Sequence, residues 1–536
     1  MTAVTMTVPP LVTTVKTVEK RPRACLTDAM AKTVLNRRAL IVAILAAFVA
    51  FLDGSIINVA LPAISAELGG GLSVQQWIVD AYLITLGALI LLAGSLSDLL
   101  GRIVIIRIGL IGFALASIAC GLAPTPELLI GARALQGVAG ALLVPSSLAL
   151  IMGTHQGAAQ SRAIGAWTAW TSVAFIVGPI LGGLLTDVIS WRWVFFINVV
   201  PIVVTMFLMT PMRNEPAAVR TPIDGWGAGL GAVGLGGVVF GLIEQGNFGW
   251  ASPIIYVPMV VGALCLVGFL VRQATTTGPL MPLSLFRNRN FAVGNAATFA
   301  IYAALSLASL VIVLFLQEVA GLSATVSGLP MLPLTIMLIA FSSVFGGLAG
   351  RFGSRWFMTA GPLIAAAGLL SLRAIDVPFD FVSQALLGVL LFGLGLSITV
   401  APLTSAVLGA IEPARSGIAS AVNNAISRIA GLIAVALLGS VVGTVVDVAW
   451  LDRALTLGAV LLTAGAVISA IGIRKVAADA GSADTAALES PGQGDAGGGK
   501  RSVARRHWGC HRHRLDDPSK CGLGGSCHGS GGFPCR

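Results

Sequence analysis

The chain has 536 residues, 56% of them hydrophobic and only 10% charged, with a mean hydropathy of +0.92. Soluble domains carry about 25% charged residues, so these values exclude a soluble globular protein and indicate an all-α polytopic membrane protein. The net charge of +10 does not call for a nucleic-acid partner, because the positive residues collect at the N-terminus, in short loops and in the tail, where they orient a membrane protein.

Residues 1–38 are polar, carry seven Lys or Arg, and form a predicted cytoplasmic N-terminal segment. The apolar run after them is too long, and starts too late, for a cleaved signal peptide. A spanning helix needs about 20 mostly apolar residues. Six such helices are predicted near 39–62, 74–97, 104–123, 127–151, 163–185 and 193–211, giving an N-terminal bundle over 39–211. Two more, near 226–244 and 253–271, make an inserted pair within 212–290. The last six lie near 291–316, 328–349, 357–373, 381–410, 417–444 and 454–473, a C-terminal bundle over 291–473. Residues 474–536 are rich in Gly, Ser and charge, bury no core, and are expected to be a disordered cytoplasmic tail. Its Cys and His residues fit no zinc spacing, and no metal site is expected.

Loop charge tests the count of fourteen. With the N-terminus inside, the inward loops hold Arg102, Arg107, Arg162, Arg213, Arg220, Arg272, Arg287, Arg289, Arg351, Arg355 and Arg415. The outward loops hold only Arg192, Arg373 and Arg453. That asymmetry predicts both termini in the cytoplasm. A faint repeat aligns GSLSDLLGR (94–102) with GGLAGRFGS (346–354), and GLS (71–73) with GLS (321–323). Two six-helix halves around a central site are a transporter plan.

Two runs imitate nucleotide sites. GDAGGGKR (494–501) has Arg501 where a P-loop needs Ser or Thr, and no strand precedes it. GLGAVG (229–234) spells GxGxxG inside a membrane-length helix, where glycines serve packing. With no ATPase or dinucleotide site, an ion gradient is the expected energy source and no cofactor is expected.

Ionisable residues inside membrane helices are costly and mark function. Asp53 in the first helix, Arg133 in the fourth and Arg428 in the thirteenth are singled out. Pro62 is expected to close the first helix, which puts Asp53 about 13 Å from the outer surface, and Arg133, six residues into the fourth helix, lies about 9 Å from it. Arg133 is then the one other charge in the outer half of the first bundle's interior. At one level the two can share a network. Burial favours the neutral acid and a guanidinium favours the carboxylate, the balance a reversible proton carrier needs. A static pair that only fixes packing is the alternative.

In GSLSDLLGR, Gly94 and Gly101 allow close approach and a tight turn, and Asp98 can pair with Arg102 or cap a helix. GARALQGVAGALLVP (131–145) sets Arg133, Gln136, Gly137 and Gly140 on one stripe. VAFIVGPILGGLL (173–185) places Gly178, Pro179, Gly182 and Gly183 mid-helix, where Pro179 kinks the chain and the glycines permit close packing.

These stretches resemble the signature motifs of the major facilitator superfamily, and most closely its fourteen-helix drug:proton antiporters of multidrug and antibiotic-resistance efflux. LDGSIINVALP resembles that branch's first-helix motif, with Ser55 where Thr is usual. GSLSDLLGR resembles the loop motif between helices 2 and 3, with Leu99 and Ile103 where basic residues are usual. LIGARALQGVAGA resembles the fourth-helix motif, and GPILGG the antiporter motif of the fifth, with Ala174 in place of its first Gly. The resemblance covers roughly residues 38–475. It implies a major facilitator fold of 6 + 2 + 6 helices, proton coupling through Asp53 and Arg133, an inner gate at Gly94, Asp98, Gly101 and Arg102, and an antiporter helix shaped by Gly178, Pro179, Gly182 and Gly183.

The substrate pocket is expected between the halves, lined by Gln136, Trp170, Tyr302, Asn295, Asn423, Asn424 and Arg428. Helices 10 and 13 lack the acids with which relatives export dications, so neutral, weakly acidic or monocationic substrates are favoured. The expected protein is a proton-coupled exporter of amphipathic drugs or a secondary metabolite, multi-pass in the cell membrane and working as a monomer, with lipid, protons and substrate as its partners. A proton-coupled uptake symporter of the same fold is the alternative.

Overall fold

The computed structural model describes residues 21–212, 224–412 and 415–474. Residues 1–20, the loop with Arg213 and Arg220, and the tail from 475 with its Cys and His residues and GDAGGGKR lie outside the described residues. Within them every element is helical. Lipid leaves no other way to satisfy backbone polar groups short of a closed barrel.

The first bundle holds α1 (Arg21–Leu68), α2 (Gly71–Leu100), α3 (Arg102–Leu122), α4 (Pro126–Thr154), α5 (Gly157–Val188) and α6 (Val199–Met209), the last preceded by the short turn Trp193–Phe196. The inserted pair is α7 (Gly225–Phe248) and α8 (Pro253–Thr275). The second bundle holds α9 (Arg289–Glu318), α10 (Leu332–Phe352), α11 (Ser354–Ser371), α12 (Leu386–Leu408), α13 (Ser416–Leu437) and α14 (Val448–Gly472). Among the described residues, thirteen helices are long and apolar enough to cross a membrane, and Trp193–Met209 is a shorter apolar helix at the predicted sixth position. All fourteen predicted positions are therefore helical. The sixth is interrupted at Ile197–Asn198, where the helix locally tightens.

Two boundaries differ from expectation. Helix α1 already covers residues from Arg21, inside the predicted polar segment, and its candidate membrane span is Val34–Leu68. At the other end Pro62 lies inside α1, which continues to Leu68. The residues after it, AISAEL, are mostly good helix formers, and the helix stops only at Gly69 and Gly70, with φ of 83° and 92°. Asp53 thus lies fifteen residues from the end of its helix rather than nine.

The repeat is visible in backbone geometry. Gly101, between α2 and α3, has φ 92° and ψ 142°; Gly353, between α10 and α11, has φ 89° and ψ 143°. These φ values disfavour a side chain, so glycine at both corresponding turns is a conformational requirement.

The halves meet through α1 against α9, α2 against α13, and α5 against both α10 and the segment Ala324–Gly328 before it. The inserted α7 packs on α2 and α13. Hydrogen bonds join the halves at the end that loop charge assigns to the outside, here termed the outer end. Gln75 donates to Glu318 (2.8 Å), Gln317 to the Val59 carbonyl (3.0 Å), and Gln76 to the Val435 carbonyl (2.5 Å). Asp187 accepts from the N–H groups of Ala324 (3.0 Å) and Thr325 (2.8 Å). The outer end is closed.

Candidate functional site

Asp53 and Arg133 meet. Arg133 Nη1 lies 2.5 Å from Asp53 Oδ2, and both side chains are 1% exposed. The other carboxylate oxygen accepts from Gln136 Nε2 (2.8 Å) and Asn198 Nδ2 (2.9 Å). Arg133 also donates from Nε to the Ile78 carbonyl (3.0 Å) and from Nη1 to Gln136 Oε1 (2.7 Å). Gln136 Nε2 reaches Ser117 Oγ at 2.9 Å. The guanidinium lies 4.5 Å from the Tyr82 ring centroid and 5.9 Å from that of Phe195. Five helical segments thus surround one ion pair.

Local sequence explains the convergence. Arg133 and Gln136 are three residues apart on α4 and share a face. Asn198 sits at the break before α6, where the chain turns its amide inward. Tyr82 donates its O–H to the Ala50 carbonyl (3.3 Å), which ties α2 to α1 one turn from Asp53. A buried ion pair is tolerable only when its remaining polar valences are filled, and Gln136, Asn198 and the Ile78 carbonyl fill them. Gln136, expected in the substrate pocket, is instead fully buried within this network.

The antiporter run forms a seam. Ser55 Oγ lies 2.9 Å from the carbonyls of Leu52 and Ala174, joining α1 to α5. A Cβ at Gly178 would meet Ser55, and one at Gly182 would lie 2.6 Å from Ile56 Cγ1, so both glycines hold α5 against α1. Gly183 faces the other half: a Cβ there would meet the Thr325 backbone and lie 2.8 Å from the Ala324 carbonyl oxygen. Pro179 faces Gly328 of that same segment.

The expected gate pair is not formed. Asp98 is exposed and makes no ion pair among the described residues, because it lies in the last turn of α2 pointing to solvent. Arg102, at the start of α3, instead lies against Gly153 near the end of α4. Gly94 has open space where a Cβ would go, so no close approach explains it; only Gly101 has the turn geometry.

The expected pocket residues divide. Asn423 on α13 donates to Asn295 Oδ1 (3.0 Å) and Thr298 Oγ1 (2.9 Å) on α9, a link within the second half. Asn424 donates to the Ser420 carbonyl of its own helix. Tyr302 is half-buried and Trp170 is 59% exposed. Arg428 crosses the halves, its guanidinium carbon 5.2 Å from the centroid of the Phe51 ring, which also packs edge-on with Trp167 and Phe175.

Three polar residues were missed. Asn198 and Ser117 complete the network, and Asn198 is the sole polar residue in VFFINVVPIVV. Asp80 on α2 is fully buried, and neither carboxyl oxygen has a hydrogen-bond partner among the described residues. It falls within predicted helix 2, so the rule that singled out Asp53 applies to it equally. Arg133 is therefore not the one other charged residue type in this interior.

A profile of the Major Facilitator Superfamily matches residues 43–435. The multidrug resistance protein Stp of Mycobacterium tuberculosis (strain CDC 1551 / Oshkosh) is 34% identical over 426 residues, 78% of each chain. The puromycin resistance protein pur8 of Streptomyces alboniger is 32% identical over 414 residues, 75% of this chain and 81% of that one. The tetracenomycin C resistance and export protein of Streptomyces glaucescens is 31% identical over 392 residues, 72% of each. Among solved structures, a POT family transporter in complex with 5-aminolevulinic acid superposes with a TM-score of 0.61 at 12% identity, over 81% of this chain and 94% of that one. The xylose transporter XylE from E. coli, in an inward open conformation, gives 0.57 at 12% identity, over 82% and 97%. At these identities the structural likeness concerns the fold alone.

Proposed function

This chain belongs to the Major Facilitator Superfamily, and from that premise we propose that it is a proton-coupled antiporter exporting amphipathic drugs, antibiotics or a secondary metabolite across the cell membrane. The curated relatives named above are resistance and export proteins, which supports export over the alternative of uptake symport. The observation that carries the mechanism is the Asp53–Arg133 pair, sealed from water and held by Gln136 and Asn198.

A proton delivered to Asp53 would cancel its charge and weaken its hold on Arg133. Arg133 would then be left as an uncompensated buried cation, which is strongly unfavourable. Protonation therefore favours a rearrangement of α1 against α4, and α1 and α5 carry that motion to the seam at Gly183 and Thr325. Substrate would enter from the cytoplasmic side beside Phe51 and Arg428, with Tyr302, Asn295, Asn423, Asn424 and Trp170 as further candidate contacts. The cycle needs no cofactor, and one chain contains both halves, so a monomer suffices.

The test is drug uptake into inverted vesicles or proteoliposomes with an imposed pH gradient. Uptake should follow the gradient in the wild type and be lost in Asp53→Asn. Uptake indifferent to the gradient, or unchanged in that variant, would overturn the reading.

A further inference from the structure

Asp80 is an anomaly that the ion-pair network does not absorb. Tyr82, two residues along α2, turns toward α1 and α4. Two residues are 200° around a helix, so Asp80 points to the opposite side. Its neighbours on that side are known from their contacts. Gln76 bonds the Val435 carbonyl of α13, and Gly87 faces Arg428 and Ile429 of α13. Trp77 donates its indole N–H to Glu244 of α7 at 2.7 Å. Ile84 packs with Leu432 and Ala436 of α13 and Leu235, Val239 and Ile243 of α7. Asp80 thus lies in an apolar seam between the first half, the second half and the inserted pair, about 7–8 Å inward of the Gln75–Glu318 contact.

No charged group answers it. From α13, Arg428 stacks on Phe51. From α7, Glu244 is bonded to Trp77. From α9, Glu318 accepts from Gln75. From α4 and α1, Arg133 and Asp53 pair with each other, and Cys120 of α3 donates to Gln136. None forms an ion pair or hydrogen bond with Asp80 among the described residues. An isolated carboxylate in such surroundings does not persist as a charge; it binds a proton.

We propose that Asp80 is a second proton-coupling residue, buried as the neutral acid when the α2–α13 seam closes, so that closing the outer end takes up one proton from the outer medium. The inference rests on the alternating-access reading above. It also gives the inserted pair a task, because α7 forms one wall that keeps this carboxyl dry. When the outer end opens, water reaches Asp80, its O–H bond ionises, and the proton returns to solvent unless the outer pH holds it in place. Alkaline outer medium therefore holds the transporter open, and acid closes it.

The test is a distance measurement across the outer end. Spin labels are placed at Ser73→Cys and Thr444→Cys in full-length protein in lipid nanodiscs, with the seven native cysteines replaced and no substrate present. In the parent, the ratio of closed to open molecules should rise as pH falls, by up to about tenfold per pH unit for one proton. Asp80→Asn, which mimics the neutral acid, should stay closed and lose that component. Asp80→Ser serves as a second neutral variant should the first fold poorly. Equal pH dependence in the parent and both Asp80 variants overturns the role of Asp80 alone. A distance that changes with neither pH nor added drug overturns alternating access as well.

Discussion

Asp53 of α1 and Arg133 of α4 are bonded at 2.5 Å, eighty residues apart in sequence and both closed to solvent. The pair is neutral as a unit but not in its parts. Removing either partner leaves the other charge buried, at a cost of about 3–5 kcal/mol. Asp53→Asn and Arg133→Gln are each expected to lower thermal stability by that order in lipid or detergent. The double variant should be less destabilised than the sum of the two, yet equally inactive in gradient-driven transport. Additive losses in unfolding assays would show that the two residues do not act as a unit.

The sequence made the fourteen helices legible because length and composition in lipid leave little freedom. It also marked Asp53 and Arg133, since ionisable groups are rare there. It did not show that Asn198 closes the network, because that contact depends on where α6 begins relative to α1. Pro62 misled because proline usually marks an end, whereas good helix formers follow it here. Asp98 and Arg102 suggested a pair by proximity in sequence, but the turn at Gly101 sends them to different surroundings. Asp80 was readable and was passed over. What no sequence pattern conveys is that Gly182 and Gly183, adjacent in the chain, serve different interfaces.

That difference is testable. A side chain at Gly182 meets Ile56 of the same half, and one at Gly183 meets the Ala324–Thr325 backbone of the opposite half. Gly183→Val should fold normally, because its clash exists only when the outer end is closed, and should abolish transport while trapping the outer end open. Gly182→Val should lower stability in every state. Accessibility of an engineered Ser323→Cys to a membrane-impermeant thiol reagent would separate them: raised in Gly183→Val, unchanged in folded Gly182→Val.

The loop glycines separate in the same way. Gly101 and Gly353 sit at φ near 90°, so alanine at either should cost about 1–3 kcal/mol in backbone strain. Gly94 is in regular helix with open space around its Cβ position. Gly94→Ala should be neutral or stabilising by about 0.5–1 kcal/mol. Thermal unfolding of the three single variants checks this, and equal losses in all three would refute the assignment of strain.

The inserted pair has its own anchor at Asp224, which caps α7. Its Oδ1 lies 2.5 Å from Arg272 Nε and accepts from the Gly227 N–H at 2.9 Å, and its Oδ2 accepts from Gln273 at 3.0 Å. Burial works against its charge, but Arg272, the Gly227 N–H and Gln273 together hold the carboxyl below its usual value of 3.8. Folding favours the charged form, so the stabilisation is complete above the usual value and is lost as pH falls through the lower folded value. At neutral pH, Asp224→Asn should therefore destabilise the α7–α8 hairpin by about 1–2 kcal/mol, a value kept low because Arg272 is 37% exposed. Hydrogen exchange of α7 and α8 amides should rise in the variant at pH 7, with no change in the Asp53 network. As pH is lowered below 4, the wild type should approach the variant and the difference should shrink. A difference that persists unchanged into acid would mean that the carboxylate charge contributes nothing to the anchor.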